Sequence, residues 1–182
     1  MARVVIVPGI NGSGEGHWQT EWERRIPGAV RIAPGDWDAP ELDDWLRAID
    51  ATEPDDDTVF VAHSMGCLAV ATWLAERRGT AAGAFLVAPP DPDGPGFPAE
   101  ARGFAAADGP LGVATLVVAS TDDPYGSARW AADVARLWGA GFTSVGALGH
   151  VNIASGVGAW DDGADLFEEF TAGLACARVP AA

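Results

Sequence analysis

Short apolar runs punctuate the chain at residues 3–7, 29–32, 58–62, 84–88, 115–120 and 142–145. Runs of this length, rich in Val, Ile, Leu and Phe, read as buried strands. Helical patterns fill the intervals, over residues 18–25, 41–49, 65–78, 127–138 and 164–175. Strand alternating with helix predicts an α/β fold, in which about six mostly parallel strands form a sheet covered by helices on both faces. Ligands of such sheets bind beyond the carboxyl ends of the strands, so chemistry is sought in the segments that follow each run. No linker or composition break divides the chain, and 182 residues with 48% apolar content suffice for one sizeable core. The expectation is a single domain over residues 1–182. Six of the thirteen prolines fall within residues 89–110, where an inserted lid would sit. At this length the insertion amounts at most to a small flap, so the site is expected to be open.

Charge narrows the function. The formal net charge is −15, and every one of the eleven cationic residues is Arg. Without a basic patch, nucleic acid and anionic membrane surfaces are disfavoured as partners. Without lysine there is no Walker A lysine and no Schiff base. The first eight residues carry one positive charge and an apolar run too short for a signal peptide, and no stretch approaches the ~18 apolar residues of a membrane span. A cytoplasmic protein is expected. Cys67 and Cys176 read as core filling, not as a bridge or a reactive thiol. His17, His63 and His150 are the only histidines, and no pair has the close spacing of a helical zinc motif, so no metal is expected. No cofactor is expected either.

Ala62-His63-Ser64-Met65-Gly66 closes the third strand and opens a helix. A serine at so sharp a turn is held in a strained conformation that lifts its hydroxyl above the sheet, and the positions two before and two after it must be small. Gly66 meets that need, and Ala62 departs from the usual glycine by one methyl. The alternative is that Ser64 merely caps the helix. A serine hydroxyl becomes a useful nucleophile only when a histidine takes its proton and a carboxylate orients that histidine. Both partners have candidates in chain order. The fifth strand ends in Ser120-Thr121-Asp122-Asp123-Pro124, and the sixth is followed by Gly149-His150-Val151-Asn152.

His63 adjoins Ser64, and neighbouring side chains on a strand and tight turn point apart, so it is expected to pack beneath the turn. His17 precedes a helix, where it either lines a pocket or caps the helix. His150 is the best base. Between the two carboxylates, Asp123 is favoured because the following proline holds it extended. The Gly-rich loop from Pro8 to Trp18 lacks the GxGxxG spacing and reads as half of an oxyanion hole, in which the amide of Ile10, or alternatively Asn11, faces Ser64 together with the amide of Met65. Asn11, His17, Trp18 and Trp37 are candidate substrate-binding residues, and an aromatic lining would favour an apolar acyl or alcohol group.

These stretches resemble the small α/β-hydrolase family of retinoblastoma-binding protein 9 and its bacterial serine-hydrolase relatives. The likeness rests on Val7-Pro8-Gly9 through His17-Trp18 with Trp22, Asp36-Trp37-Asp38-Ala39-Pro40, Ala62 to Gly66, Ser120 to Tyr125, and Gly149-His150-Val151-Asn152 running on to Trp160. It implies a six-stranded α/β-hydrolase fold, a triad of Ser64, Asp123 and His150, and an esterase-like activity, while the chain's length leaves minimal or no lid. The expected function is hydrolysis of a small-molecule carboxylic ester through an acyl-enzyme. The alternative is a protein-interaction module on a hydrolase scaffold, with protein partners that the sequence does not name.

Overall fold

The computed structural model describes residues 2–77 and 80–177. Its strands are β1 (Arg3–Val7), β2 (Val30–Arg31), β3 (Thr58–His63), β4 (Gly83–Val87), β5 (Ala114–Ala119) and β6 (Gly141–Ser144). They form one sheet in the order β2-β1-β3-β4-β5-β6. All five neighbouring pairs are parallel, with Val5 opposite Phe60, Ala62 opposite Leu86 and Val118 opposite Thr143. The helices are α1 (Trp18–Arg25), α2 (Leu42–Asp50), α3 (Met65–Arg77), α4 (Ala128–Trp138) and α5 (Asp161–Ala177).

Alternation along the strands sorts the core into two layers. Val5, Phe60, Leu86 and Val117 pack with Trp45 and Ile49 of α2, Leu68 of α3 and Val134 of α4. Ile6, Val61, Phe85 and Val118 face the other way, against Trp18 and Trp22 of α1 and Phe167 of α5. The central strands β1, β3, β4 and β5 therefore bury both of their faces, whereas the edge strands β2 and β6 are half-buried or exposed, which is why the sequence of the central strands shows continuous apolar runs instead of alternation. The chain leaves β1 toward β2 on one side and returns to β3 on the other. The carboxyl ends of β1 and β3 thus meet where the winding direction reverses, the place at which an open parallel sheet leaves a crevice.

Several boundaries differ from expectation. Only Val30 and Arg31 of the second run are strand, although the Ile32 amide still donates to the Ile6 carbonyl at 3.1 Å. The last helix begins at Asp161, three residues early, where Asp161 and Asp162 suit the positive end of a helix dipole. The last residue of the expected helix 65–78 lies outside the described residues. Two 3-10 turns, Ile10–Gly12 and Ile153–Ser155, lie in segments read only as loops. The proline-rich segment 89–110 holds no helix or strand. It is laid against the body of the protein, with Phe104 edge-on to Trp45 and the Trp138 indole donating to the Ala107 carbonyl at 3.0 Å. Among the described residues, no helix is long and apolar enough to cross a membrane.

Candidate active site

Ser64 sits between the last residue of β3 and the first of α3, with φ 53°. A left-handed non-glycine residue costs on the order of 1–3 kcal/mol and persists only when its surroundings fix it. Here the Ser64 amide donates to the Val87 carbonyl and its carbonyl accepts from Cys67, both at 2.9 Å. Glycine is obligatory at 66, because a Cβ there would lie 2.2 Å from the Val7 carbonyl oxygen and 2.4 Å from that of Pro8. A Cβ on Gly9 would come within 2.8 Å of the Ser64 Cβ, so the first loop also passes tightly over the serine. Ala62 is fully buried in the ladder between Val7 and Leu86, and its methyl does not disturb the turn.

The segments after β5 and β6 converge on this serine. The Ser64 hydroxyl donates to His150 Nε2 at 2.8 Å. His150 Nδ1–H in turn donates to both carboxylate oxygens of Asp123, at 3.0 and 2.9 Å. The Asp123 side chain is only 2% exposed, so water does not compete for that contact. Asp122 points elsewhere: its Oδ1 accepts from the Ser120 hydroxyl and from the Gly149 amide, both at 2.7 Å. Those two bonds, the Ser120 contact first, hold the Asp122 carboxyl below its ordinary pKa.

The loop bearing His150 is fixed at further points. His63 Nε2–H donates to the His150 carbonyl at 2.8 Å, and the Trp18 indole donates to the Val151 carbonyl at 2.9 Å. Val151 is a β-branched residue at φ 48°, a conformation that needs such anchoring. Burial pushes the His63 imidazole well below its ordinary pKa. His17 caps α1, its Nδ1 accepting from the Gln19 amide at 3.2 Å, which leaves the proton on Nε2. Burial first, then the Arg31 charge and His150, lower its pKa to about 4. The three imidazoles form a row, with ring centres 4.9 Å apart from His17 to His63 and again from His63 to His150.

The loop after β1 holds two non-glycine residues, Asn11 and Ser13, at positive φ on either side of Gly12, which takes that conformation freely. The Asn11 amide donates to the Trp37 carbonyl at 3.0 Å and is occupied. The Ile10 and Met65 amides have no partner among the described residues, Met65 because the first amides of a helix lack one by construction. Arg31 reaches in from β2 and donates to the carbonyls of Gly12 and Ser13 and to the Thr20 hydroxyl, while pairing with Glu23. A cleft of about 450 Å³ opens over these groups, bordered by Ser64, His150, Ile10 and Met65 with Tyr125 and Ile153 at its mouth.

A family model described as serine hydrolase matches residues 4–169. The chain belongs to the serine hydrolase family. It is similar to a YdeN-like hydrolase from Pectobacterium atrosepticum, at 33% identity over 94% of this chain and 91% of that one, with a TM-score of 0.82. The ydeN gene product of B. subtilis is 22% identical over 94% of this chain and all of its own length, with the same TM-score of 0.82. A thermophilic esterase from Thermogutta terrifontis shares the fold at 13% identity over 96% of this chain and 90% of that one, with a TM-score of 0.71. No curated protein matches the chain. The fold is the α/β-hydrolase fold.

Two aromatic candidates of this serine hydrolase lie away from the cleft. Trp18 is fully buried and anchors the segment after His150 from behind, because its indole N–H needs a buried acceptor. Trp37 packs against Gly12 and edge-on to Trp45, supporting the first loop from outside. Asn11 and His17 do border the cleft. The anchoring contacts of Asp122, His63 and Arg31 went unread in the sequence, since each joins segments 27 or more residues apart or serves a loop whose shape is not local. Cys67 is buried with its thiol donating to the Val87 carbonyl, and burial raises its pKa well above the ordinary value. Among the described residues, no group of three or more His, Cys, Asp or Glu is arranged to hold a metal ion.

Proposed function

We propose that this serine hydrolase cleaves small carboxylic esters through an acyl-enzyme, with Ser64 as nucleophile, His150 as general base and Asp123 as the carboxylate that orients it. The observation that carries this reading is the continuous relay from the Ser64 hydroxyl to His150 Nε2 at 2.8 Å and from His150 Nδ1 to the Asp123 carboxylate at 2.9 Å. As Ser64 Oγ attacks the ester carbonyl, its proton moves to Nε2, and Asp123 stabilises the resulting imidazolium. The carbonyl oxygen, now negative, is received by the amides of Met65 and Ile10. Collapse of the tetrahedral intermediate expels the alcohol, which takes the proton from Nε2. Water then enters, gives its proton to the same nitrogen and releases the acid, restoring Ser64.

Ile10 is preferred to Asn11 as the second oxyanion donor because the Asn11 amide is spent on Trp37. An amide already bonded elsewhere gains nothing when charge develops in the transition state. The test is a fluorophosphonate probe with mass mapping of the adduct, alongside Ser64→Ala assayed on a short-chain aryl ester. The adduct is expected on Ser64, and the variant is expected to lose activity on the order of 10⁶-fold. An adduct elsewhere, or a variant within a few-fold of wild type, rejects the assignment.

A further inference from the structure

We infer that the cleft selects electrically neutral, apolar esters and rejects anionic ones, with Tyr125 and Ile153 at its mouth as the specificity-determining residues. The inference rests on the esterase reading and goes beyond it by naming the substrate class. Three independent features support it.

The first is the wall. Ile10, Met65, Pro90, Pro98, Tyr125 and Ile153 border the cleft, and among the described residues no Arg, Asp or Glu does. Its ionisable members apart from Tyr125 are the three histidines, of which His17 and His63 are held neutral by burial. An anionic substrate entering here would shed its hydration shell and find no cation to replace it. The Arg31 guanidinium, the cation tied to the first loop, is saturated by Gly12, Ser13, Thr20 and Glu23.

The second is the mouth. Four large hydrophobic residues are exposed among the described residues: Tyr125, Leu137, Phe142 and Ile153. Two of the four border this one cleft. Ile153 is 53% exposed on the 3-10 turn just after His150, and Tyr125 stands edge-on to the His150 ring with centres 4.6 Å apart. An apolar group bound across them would cover surface that is otherwise wet, directly beside the reacting atoms. The third is the field. A net charge of −15 on 182 residues repels anions on approach.

The test compares two matched pairs of substrates. In one, 4-nitrophenyl hexanoate is set against the 4-nitrophenyl monoester of hexanedioic acid, which adds a carboxylate to the far end of the acyl chain. In the other, phenyl butyrate is set against its 4-sulfonate, which places the charge on the alcohol. The neutral member is expected to win in kcat/KM by at least about tenfold in both pairs at low salt. Ile153→Arg, at a half-exposed position that tolerates a long side chain, should narrow the preference by about tenfold in at least one pair. Leu137→Arg, on α4 and away from the cleft, should leave both ratios unchanged. An anionic member within threefold of its neutral partner, or an Ile153→Arg variant with both ratios unaltered, overturns the inference. Failure of the esterase reading itself would look different, as no turnover of any of the four esters and no fluorophosphonate adduct on Ser64.

Discussion

Replacing Asp123 by asparagine changes one atom of a side chain that is 2% exposed, so the consequence can be worked from the contacts alone. Both carboxylate oxygens lie within 3.0 Å of His150 Nδ1. With the amide oxygen toward Nδ1, the histidine keeps its tautomer but loses the negative charge that stabilises the imidazolium. With the amide nitrogen toward Nδ1, the proton is driven to Nε2, where it faces the Ser64 hydroxyl and blocks proton acceptance. Either outcome removes the orienting carboxylate, an effect of about 10⁴ in kcat, or roughly 5.4 kcal/mol of transition-state stabilisation. Asp122→Asn is the matched control. Both of its contacts, from the Ser120 hydroxyl and the Gly149 amide, fall on Oδ1, and an amide oxygen accepts both. It should retain activity within about tenfold, whereas Asp122→Ala, which releases Gly149, should cost more. Steady-state hydrolysis of a short-chain aryl ester, with circular dichroism to verify folding, measures all three. A folded Asp123→Asn variant within tenfold of wild type, or a larger loss in Asp122→Asn, would refute the reasoning.

Arg31→Met keeps the apolar stem but removes the donors to Gly12, Ser13 and Thr20; it should lower kcat by up to about 10²-fold with little change in KM, and a KM-only effect would count against a role in shaping the oxyanion loop. Gly66→Ala should fail to fold or lose more than ~3 kcal/mol in thermal or urea unfolding, because its Cβ would sit 2.2 Å from the Val7 carbonyl oxygen. Stability should fall as pH drops from about 6.5 toward 4: His17 is depressed to about 4, so the unfolded chain binds the proton first and acidification favours it by roughly 3 kcal/mol at most. His17→Asn, which preserves the cap on α1 without titrating, should flatten that slope in unfolding curves taken across the interval, and an unchanged slope would assign it to other groups.

The parallel sheet was legible because its central strands are buried on both faces and therefore apolar without interruption, as in Val59-Phe60-Val61-Ala62. Ser64 was legible for a local reason: the small residue at 66 and the strand-to-helix switch are adjacent in sequence, and the steric demand on Gly66 comes from a neighbouring strand that every fold of this class supplies. Asp123 was preferred to Asp122 on the restriction that Pro124 imposes, and it is Asp123 that meets His150, whereas the grip of Asp122 on Gly149 had no sequence signal at all. Tryptophan was the misleading residue type. Trp18 was a pocket candidate because its segment could border the site, and the structure gives it the commoner role of packing core, with its single polar atom serving a carbonyl 133 residues away. Side chains whose role is a bond to distant backbone leave no periodicity and no spacing to read.

Strain is distributed with a purpose in this molecule. Seven non-glycine residues among those described adopt positive φ, and Asn11, Ser13, Ser64 and Val151 belong to the segments that border the cleft or directly follow His150. Each is held by a bond from a buried or half-buried group: Asn11 by the Trp37 carbonyl, Ser13 by Arg31 and Thr20, Ser64 by Val87, and Val151 by the Trp18 indole. Left free, such residues would relax toward ordinary conformations, with a gain on the order of 1–3 kcal/mol apiece. The two packed layers on either face of the sheet oppose that relaxation, so the cohesion of the core is converted into fixed positions for the Ser64 hydroxyl, the His150 ring and the free amides. A site preorganised in this way spends little on rearrangement as charge develops. Loosening an anchor should therefore slow the chemical step before it weakens substrate binding, whereas changes at Tyr125 or Ile153, which border the cleft and anchor none of these four strained residues, should act on selectivity first.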